Sequence, residues 1–163
     1  ATDDEGGILA HESATFSFDE SKFLYFGNSF SKEEDPNIRY IKMYGRKIYE
    51  FALSNVPKAM ASCLEKSGIA ITDVKKILIH QANEKMDEAI INRFYKLYKM
   101  ETPVGIMPMS IHKLGNSSVA TVPTLYDLIV NGELEGQNLN KGDVIIFASV
   151  GAGMNINAIV YQM

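Results

Sequence analysis

The sequence predicts an α/β domain, a mixed sheet layered with helices, and three observations predict it. Two short apolar runs, Ile77–His80 and Val144–Val150, have the length and the β-branched content of buried strands. Longer segments before and between them carry apolar residues at helical spacing. The second run breaks at Gly151-Ala152-Gly153 and resumes as Asn155–Gln162, most simply an antiparallel return. The resulting order is strand, helix, strand, helix, an optional edge strand, helix, strand, strand.

Ile8 to Phe18 alternates loosely and carries Thr15, Phe16 and Phe18, so it reads as the first strand. Phe23–Phe26 reads as a second, small one, and Asn28–Asn37 as a polar surface loop. This poorly periodic region suits a lid or a rim. Gly45–Ser67 is the clearest helix, with Phe51, Ala52, Val56, Met60, Cys63 and Leu64 on one apolar face. Pro57 should kink or restart it, because proline cannot donate the internal bond, and Gly68 suits a C-terminal cap. After Ile77–His80, Asn83 is a helix N-cap, with Glu84 and Asp87 in the first turn where the dipole favours negative charge. Met86, Ile90, Phe94 and Leu97 make the buried stripe of that helix. Lys85, Arg93, Lys96 and Lys99 share a different arc, roughly 120° wide at about 100° per residue. Thr102–Met109, with Pro103, Gly105 and Pro108, is an extended loop or an edge strand. A turn at Leu114–Ser118 leads into a helix of about 117–130 that is apolar on nearly all sides, the mark of a helix buried in the middle of something larger.

With 163 residues the chain is long enough for one domain with a real core. A formal charge of −4 supplies no field to attract nucleic acid. No apolar run reaches bilayer length, so no membrane span is expected. One cysteine, Cys63, excludes a disulfide framework and fits the cytoplasm. The acidic start, Ala1–Gly7, resembles neither a signal nor a transit peptide and reads as a cut at a domain boundary.

Three polar features sit where the backbone changes direction: His80 closing a strand, Asn116 between a turn and a buried helix, and Gly151-Ala152-Gly153 between two strands. Singly each is ordinary. A histidine at a strand end is more often structural, a Gly-Asn pair is a common turn, and one Gly-x-Gly is no dinucleotide site. Aimed at one point, His80 and Asn116 would form a donor pair for negative charge developing on a carbonyl oxygen, and the glycines would let backbone N–H groups approach a second oxygen. His11, His80 and His112 lack metal-site spacing, so neither metal nor cofactor is expected.

His80-Gln81-Ala82-Asn83, then Gly115-Asn116-Ser117-Ser118 with Ala120 and Pro123, then the strand into Gly151-Ala152-Gly153, resemble the C-terminal half of 3-oxoacyl-ACP synthase III, a thiolase-like condensing enzyme. Gly45–Ala52 resembles a helix start of the same family. The resemblance implies an acyltransferase of fatty acid biosynthesis, joining an acyl-CoA or acyl-ACP to malonyl-ACP with loss of CO₂, through a Cys–His–Asn triad. It implies that His80 and Asn116 stabilise the malonyl enolate. It implies that the N–H of Ala152 helps hold the oxyanion at the acyl-cysteine, and that Lys85, Arg93, Lys96 and Lys99 meet acidic acyl carrier protein. Lys85 stands where the family often has arginine. The family's nucleophile belongs to an N-terminal domain that this chain does not contain, and Cys63, mid-helix on an apolar face, does not match it. The isolated domain is therefore expected to be inactive, and the full-length enzyme to be a homodimer. The alternatives are another thiolase-like enzyme, HMG-CoA synthase-like or a secondary-metabolite ketosynthase, or a non-catalytic subunit that binds acyl chains or a carrier protein.

Overall fold

The structure is a computed structural model that describes residues 6–163; the acidic start read as a domain-boundary cut lies, for its first five residues, outside them. Six strands and four α-helices follow one another as β1 (Gly7–Thr15), β2 (Leu24–Gly27), β3 (Tyr40–Met43), α1 (Gly45–Ser67), β4 (Val74–Ile79), α2 (Glu84–Leu97), α3 (Ile111–Leu114), α4 (Thr121–Val130), β5 (Val144–Gly151) and β6 (Asn155–Gln162). Four of the strands make one mixed sheet in the order β1-β6-β5-β4. Only β4 and β5 are parallel; β5/β6 and β6/β1 are antiparallel. The predicted architecture is the observed one.

Helices cover both faces of this sheet, and the alternation along β4 sorts them. Ile77 and Ile79 point into the larger core with α1 and α2, while Leu78 points the other way, into a smaller cluster with Leu125 and Ile129 of α4. Val144, Ile146 and Ala148 of β5 join the larger core and Phe147 packs on the smaller one. Near-continuous apolar sequence in β4 and β5 is what a strand covered on both sides requires.

α1 runs unbroken through Pro57, so the proline does not restart it. The carbonyl that Pro57 leaves without an internal partner is that of Leu53, and the Arg93 guanidinium of α2 donates to it at 3.2 Å. The lost helix bond is replaced from the neighbouring helix. Gly68 caps α1 at φ +72°, as expected.

Several boundaries move. The first strand stops at Thr15, and β3, absent from the sequence reading, pairs with β2 as a separate two-stranded sheet. Residues 102–109 form no strand, yet the segment lies along β4: the Ile77 N–H donates to the Ile106 carbonyl at 2.8 Å, and Lys76 Nζ to the Gly105 carbonyl at 2.7 Å. The buried stripe of α2 comprises Met86, Asp87, Ile90, Ile91, Phe94 and Tyr95, whereas Leu97 is 53% exposed at the helix end. Lys99 lies past that end with φ +57°, so it does not share the helix arc of Lys85, Arg93 and Lys96.

The helix expected over about 117–130 begins as a 3₁₀ turn, Ser118–Ala120, and becomes α-helical only at Thr121. It is not buried on all sides. Thr121, Leu125 and Ile129 face the sheet, while Val130 and, on the preceding turn, Val119 are exposed. Among the described residues no helix is long and apolar enough to cross a membrane.

Candidate active site

His80 and the Gly151–Gly153 segment follow the carboxyl ends of the parallel strands β4 and β5, where α/β sheets present polar groups to ligands, whereas Asn116 follows the short helix α3. The His80 N–H donates to the Ala148 carbonyl at 3.0 Å and so extends the ladder one residue beyond β4. Asn83 then caps α2, its side-chain oxygen accepting from the Met86 N–H at 3.3 Å. His80 is thus held between a strand end and a helix start, half-buried. Burial lowers its pKa, and a hydrogen bond to the Ser118 backbone opposes that by favouring the imidazolium.

Asn116 is related to His80 through the Ser118 backbone. It follows Gly115, whose φ of +65° and ψ of −164° only glycine adopts without strain. The Asn116 side-chain oxygen accepts from the Ser118 N–H at 2.9 Å. That bond fixes the carboxamide with its oxygen occupied and its Nδ2 group directed elsewhere, free to donate. Ser118 itself has φ +56°, uncommon for a residue with a side chain. One strained residue therefore lies by both candidates: its N–H donates to Asn116, and its backbone favours the charged form of His80.

Gly151 ends β5 and pairs with Asn155, so Ala152, Gly153 and Met154 form a three-residue hairpin loop. Gly153 (φ +74°) and Met154 (φ +48°) both take left-handed backbone. Gly151 and Ala152 are exposed, whereas Met154 is buried and anchors the loop, its carbonyl accepting from the Phe16 N–H at 3.1 Å.

Cys63 is fully buried, its thiol donating to the Ala158 carbonyl at 3.4 Å, and burial pushes its pKa up. Such a thiol is not a nucleophile. Among the described residues no three His, Cys, Asp or Glu side chains are grouped to hold a metal. The basic residues divide. Lys85, Lys96 and Lys99 are exposed on and just beyond α2, whereas Arg93 also serves the Leu53 carbonyl.

Two buried residues beside the candidates received no role from the sequence. Gln81 is fully buried: its Nε2 donates to the Pro108 carbonyl at 2.9 Å, and its Oε1 accepts from the N–H groups of Ser110 and Ile111, both at 2.9 Å. Asp87 is also fully buried, with neither carboxylate oxygen hydrogen-bonded. Burial raises its pKa to about 7. The sequence placed Asp87 where a helix dipole welcomes charge; desolvation prevails because the first turn faces the core. The only legible signal was spacing, since Asp87, Ile91 and Phe94 fall on one helical face.

A family model described as "3-Oxoacyl-[acyl-carrier-protein (ACP)] synthase III C terminal" matches residues 64–163. Over 97% of its length the chain is 26% identical to a beta-ketoacyl-[acyl-carrier-protein] synthase III of Levilactobacillus brevis, covering 46% of that protein. It is 30% identical over 99% of its length to the synthase III of Oenococcus oeni, covering 48% of it. The chain thus spans about half the length of the relatives it matches. The crystal structure of the Aquifex aeolicus 3-oxoacyl-[acyl-carrier-protein] synthase III superposes with a TM-score of 0.78 at 24% identity, over all of this chain and 46% of that one. This likeness shows a thiolase-like half as the fold.

Proposed function

The chain belongs to the 3-oxoacyl-ACP synthase III C-terminal family, and on that premise we propose that it is the C-terminal domain of an acyltransferase making the decarboxylative condensation of fatty acid biosynthesis. Its partners are an N-terminal domain that supplies the nucleophilic cysteine, an acyl-CoA or acyl-ACP, malonyl-ACP and the carrier protein itself. The assembled enzyme is a cytoplasmic homodimer. The observation that carries the reading is His80 at the carboxyl end of β4, together with Asn116 held by the Ser118 N–H, whose backbone also favours the His80 imidazolium.

The chemistry follows from that pairing. In malonyl-ACP the bond between the α-carbon and the carboxylate breaks, CO₂ leaves, and the electron pair moves into the thioester as an enolate. Asn116 Nδ2 donates to the enolate oxygen. A neutral imidazole has one N–H; given to the Ser118 carbonyl, it leaves the other ring nitrogen as an acceptor. His80 therefore takes up a proton from solvent before it donates to the same oxygen and returns it when the thioester carbonyl re-forms, and the Ser118 backbone favours the imidazolium in between. The enolate carbon then attacks the acyl-cysteine carbonyl. Its oxyanion is met by the backbone N–H of Ala152, and the cysteine leaves as thiolate.

The test is malonyl-ACP decarboxylation by this chain joined to its N-terminal half. His80→Ala and Asn116→Ala should each lower the rate by about 10²- to 10³-fold, the usual loss on removing one oxyanion donor. Wild-type rates in both variants would refute the reading. Lys96→Glu should raise the KM for the carrier protein and leave kcat alone, because an exposed charge steers encounter rather than chemistry; an unchanged KM would reject the docking face.

A further inference from the structure

We propose that Gln81 is the positioning residue of this site: its buried carboxamide fastens residues 108–111 to the end of β4 and so fixes where Asn116 stands relative to His80. The proposal rests on the reading of His80 and Asn116 given above and names what aligns them.

The fastening is complete on both sides of the carboxamide. Gln81 Nε2 donates to the Pro108 carbonyl, and Oε1 accepts from the Ser110 N–H, the Ser110 hydroxyl (3.3 Å) and the Ile111 N–H. Ser110 and Ile111 are the start of α3, whose first N–H groups have no partner within the helix. Ser110 makes no side-chain cap of its own. The cap comes from Gln81, across 29 residues of sequence.

A rigid path continues from there to Asn116. The Lys113 and Leu114 N–H groups donate to the Ser110 carbonyl at 2.9 Å, and the Gly115 N–H donates to the Ile111 carbonyl at 2.8 Å. Asn116 follows Gly115 directly and is locked to Ser118. Gln81 is the covalent neighbour of His80. The hydrogen-bonded path between the two candidates thus runs through Gln81 and α3. Asn116 is exposed and nothing else holds its side chain, so breaking this path frees the turn that carries it.

Three variants of the assembled two-half enzyme test this. Gln81→Met keeps the volume and loses every bond; kcat for decarboxylation should fall about 10- to 100-fold, the scale of a 1 Å misplacement, with KM changed less than threefold. Ile90→Val, a conservative change in the α2 core, should keep kcat near wild type and so separates positioning from lost stability. Gln81→Glu gives the sharpest readout. Its protonated carboxyl presents the same acceptor and donor as the amide, and its ionised form has no donor for Pro108. Activity near wild type at low pH should therefore fall as pH rises, through an ionisation absent from the wild type. A pH profile matching the wild type, or an unchanged kcat in Gln81→Met, would overturn the proposal. Nitrogen-edited NMR of the 163-residue chain separates it from the functional reading. If Gln81→Met shifts and broadens the Asn116 side-chain amide signals while His80→Ala and Asn116→Ala retain full activity, the fastening stands and the reading of the donor pair falls. Unmoved Asn116 signals would overturn the fastening whatever the activity.

Discussion

Gly115 and Asp87 give the plainest tests at the level of single residues. No atom lies within 4 Å of where a Cβ on Gly115 would sit, so space does not require glycine there; the backbone angles do. Gly115→Ala should destabilise the chain by about 1–3 kcal/mol in urea unfolding, through strain alone. Asp87 predicts a pH dependence. Folded, it titrates at about 7; unfolded, near 3.8, so the folded state keeps a proton that the unfolded state releases between those values. Its contribution is fully present below the lower value and is lost as pH rises through the upper one. Asp87→Asn should flatten the stability profile between pH 4 and 7 and make the chain more stable than wild type at pH 8. A profile unchanged by the substitution would show that the carboxyl is solvated. Neither Asp87 nor Gln81 could be assigned from sequence, because burial of a polar side chain is decided by what packs across from it. His80 and Asn116 could be singled out because both stand at breaks in local periodicity. Ser118 could not: nothing in its neighbours announces a left-handed backbone.

For whole elements, periodicity was a good guide where one face decides the structure and a poor one at ends. α1 was legible to the residue, because a broad apolar face and a glycine cap agree. Its proline does not end it, and the compensating donor is on another helix. Arg93→Met should therefore destabilise the chain by about 1–3 kcal/mol, the range for stranding a buried carbonyl, while Lys96→Met should be near neutral. Equal stability of the two would mean that the Leu53 carbonyl is served by solvent. β3 was missed because its four residues alternate with no flanking signal, and its pairing with β2 is the whole of its context. The apolar side chains of α4 were read correctly as more than one face can bury, but one sheet supplies one face only.

In the whole molecule, the uncovered side of α4 and the β2/β3 sheet both leave apolar side chains exposed. Phe26, Ile41 and Met43 lie on one face of that small sheet at 71%, 68% and 62% exposure. Val119 and Val130 stand clear beside α4. Apolar surface of this extent calls for a partner. The 163-residue chain alone should bind an apolar dye and self-associate in light scattering, and joining it to its N-terminal half should suppress both. A monodisperse, dye-silent monomer would count against the missing domain. Length and the order of elements were enough to reach the fold class, because two core strands and three helical segments admit few arrangements.

The order of strands in the large sheet also bears on how the chain reaches its native state. β1 touches no strand but β6, and Gly7 pairs with Gln162. Among the described strands, β1 must wait for β6 before it has an edge to join. Folding therefore closes its longest loop late, and until then β1 is a loose ribbon with unpaired N–H and C=O groups. Slow refolding and a tendency to misassociate at low denaturant are the expected kinetic signature of that connection.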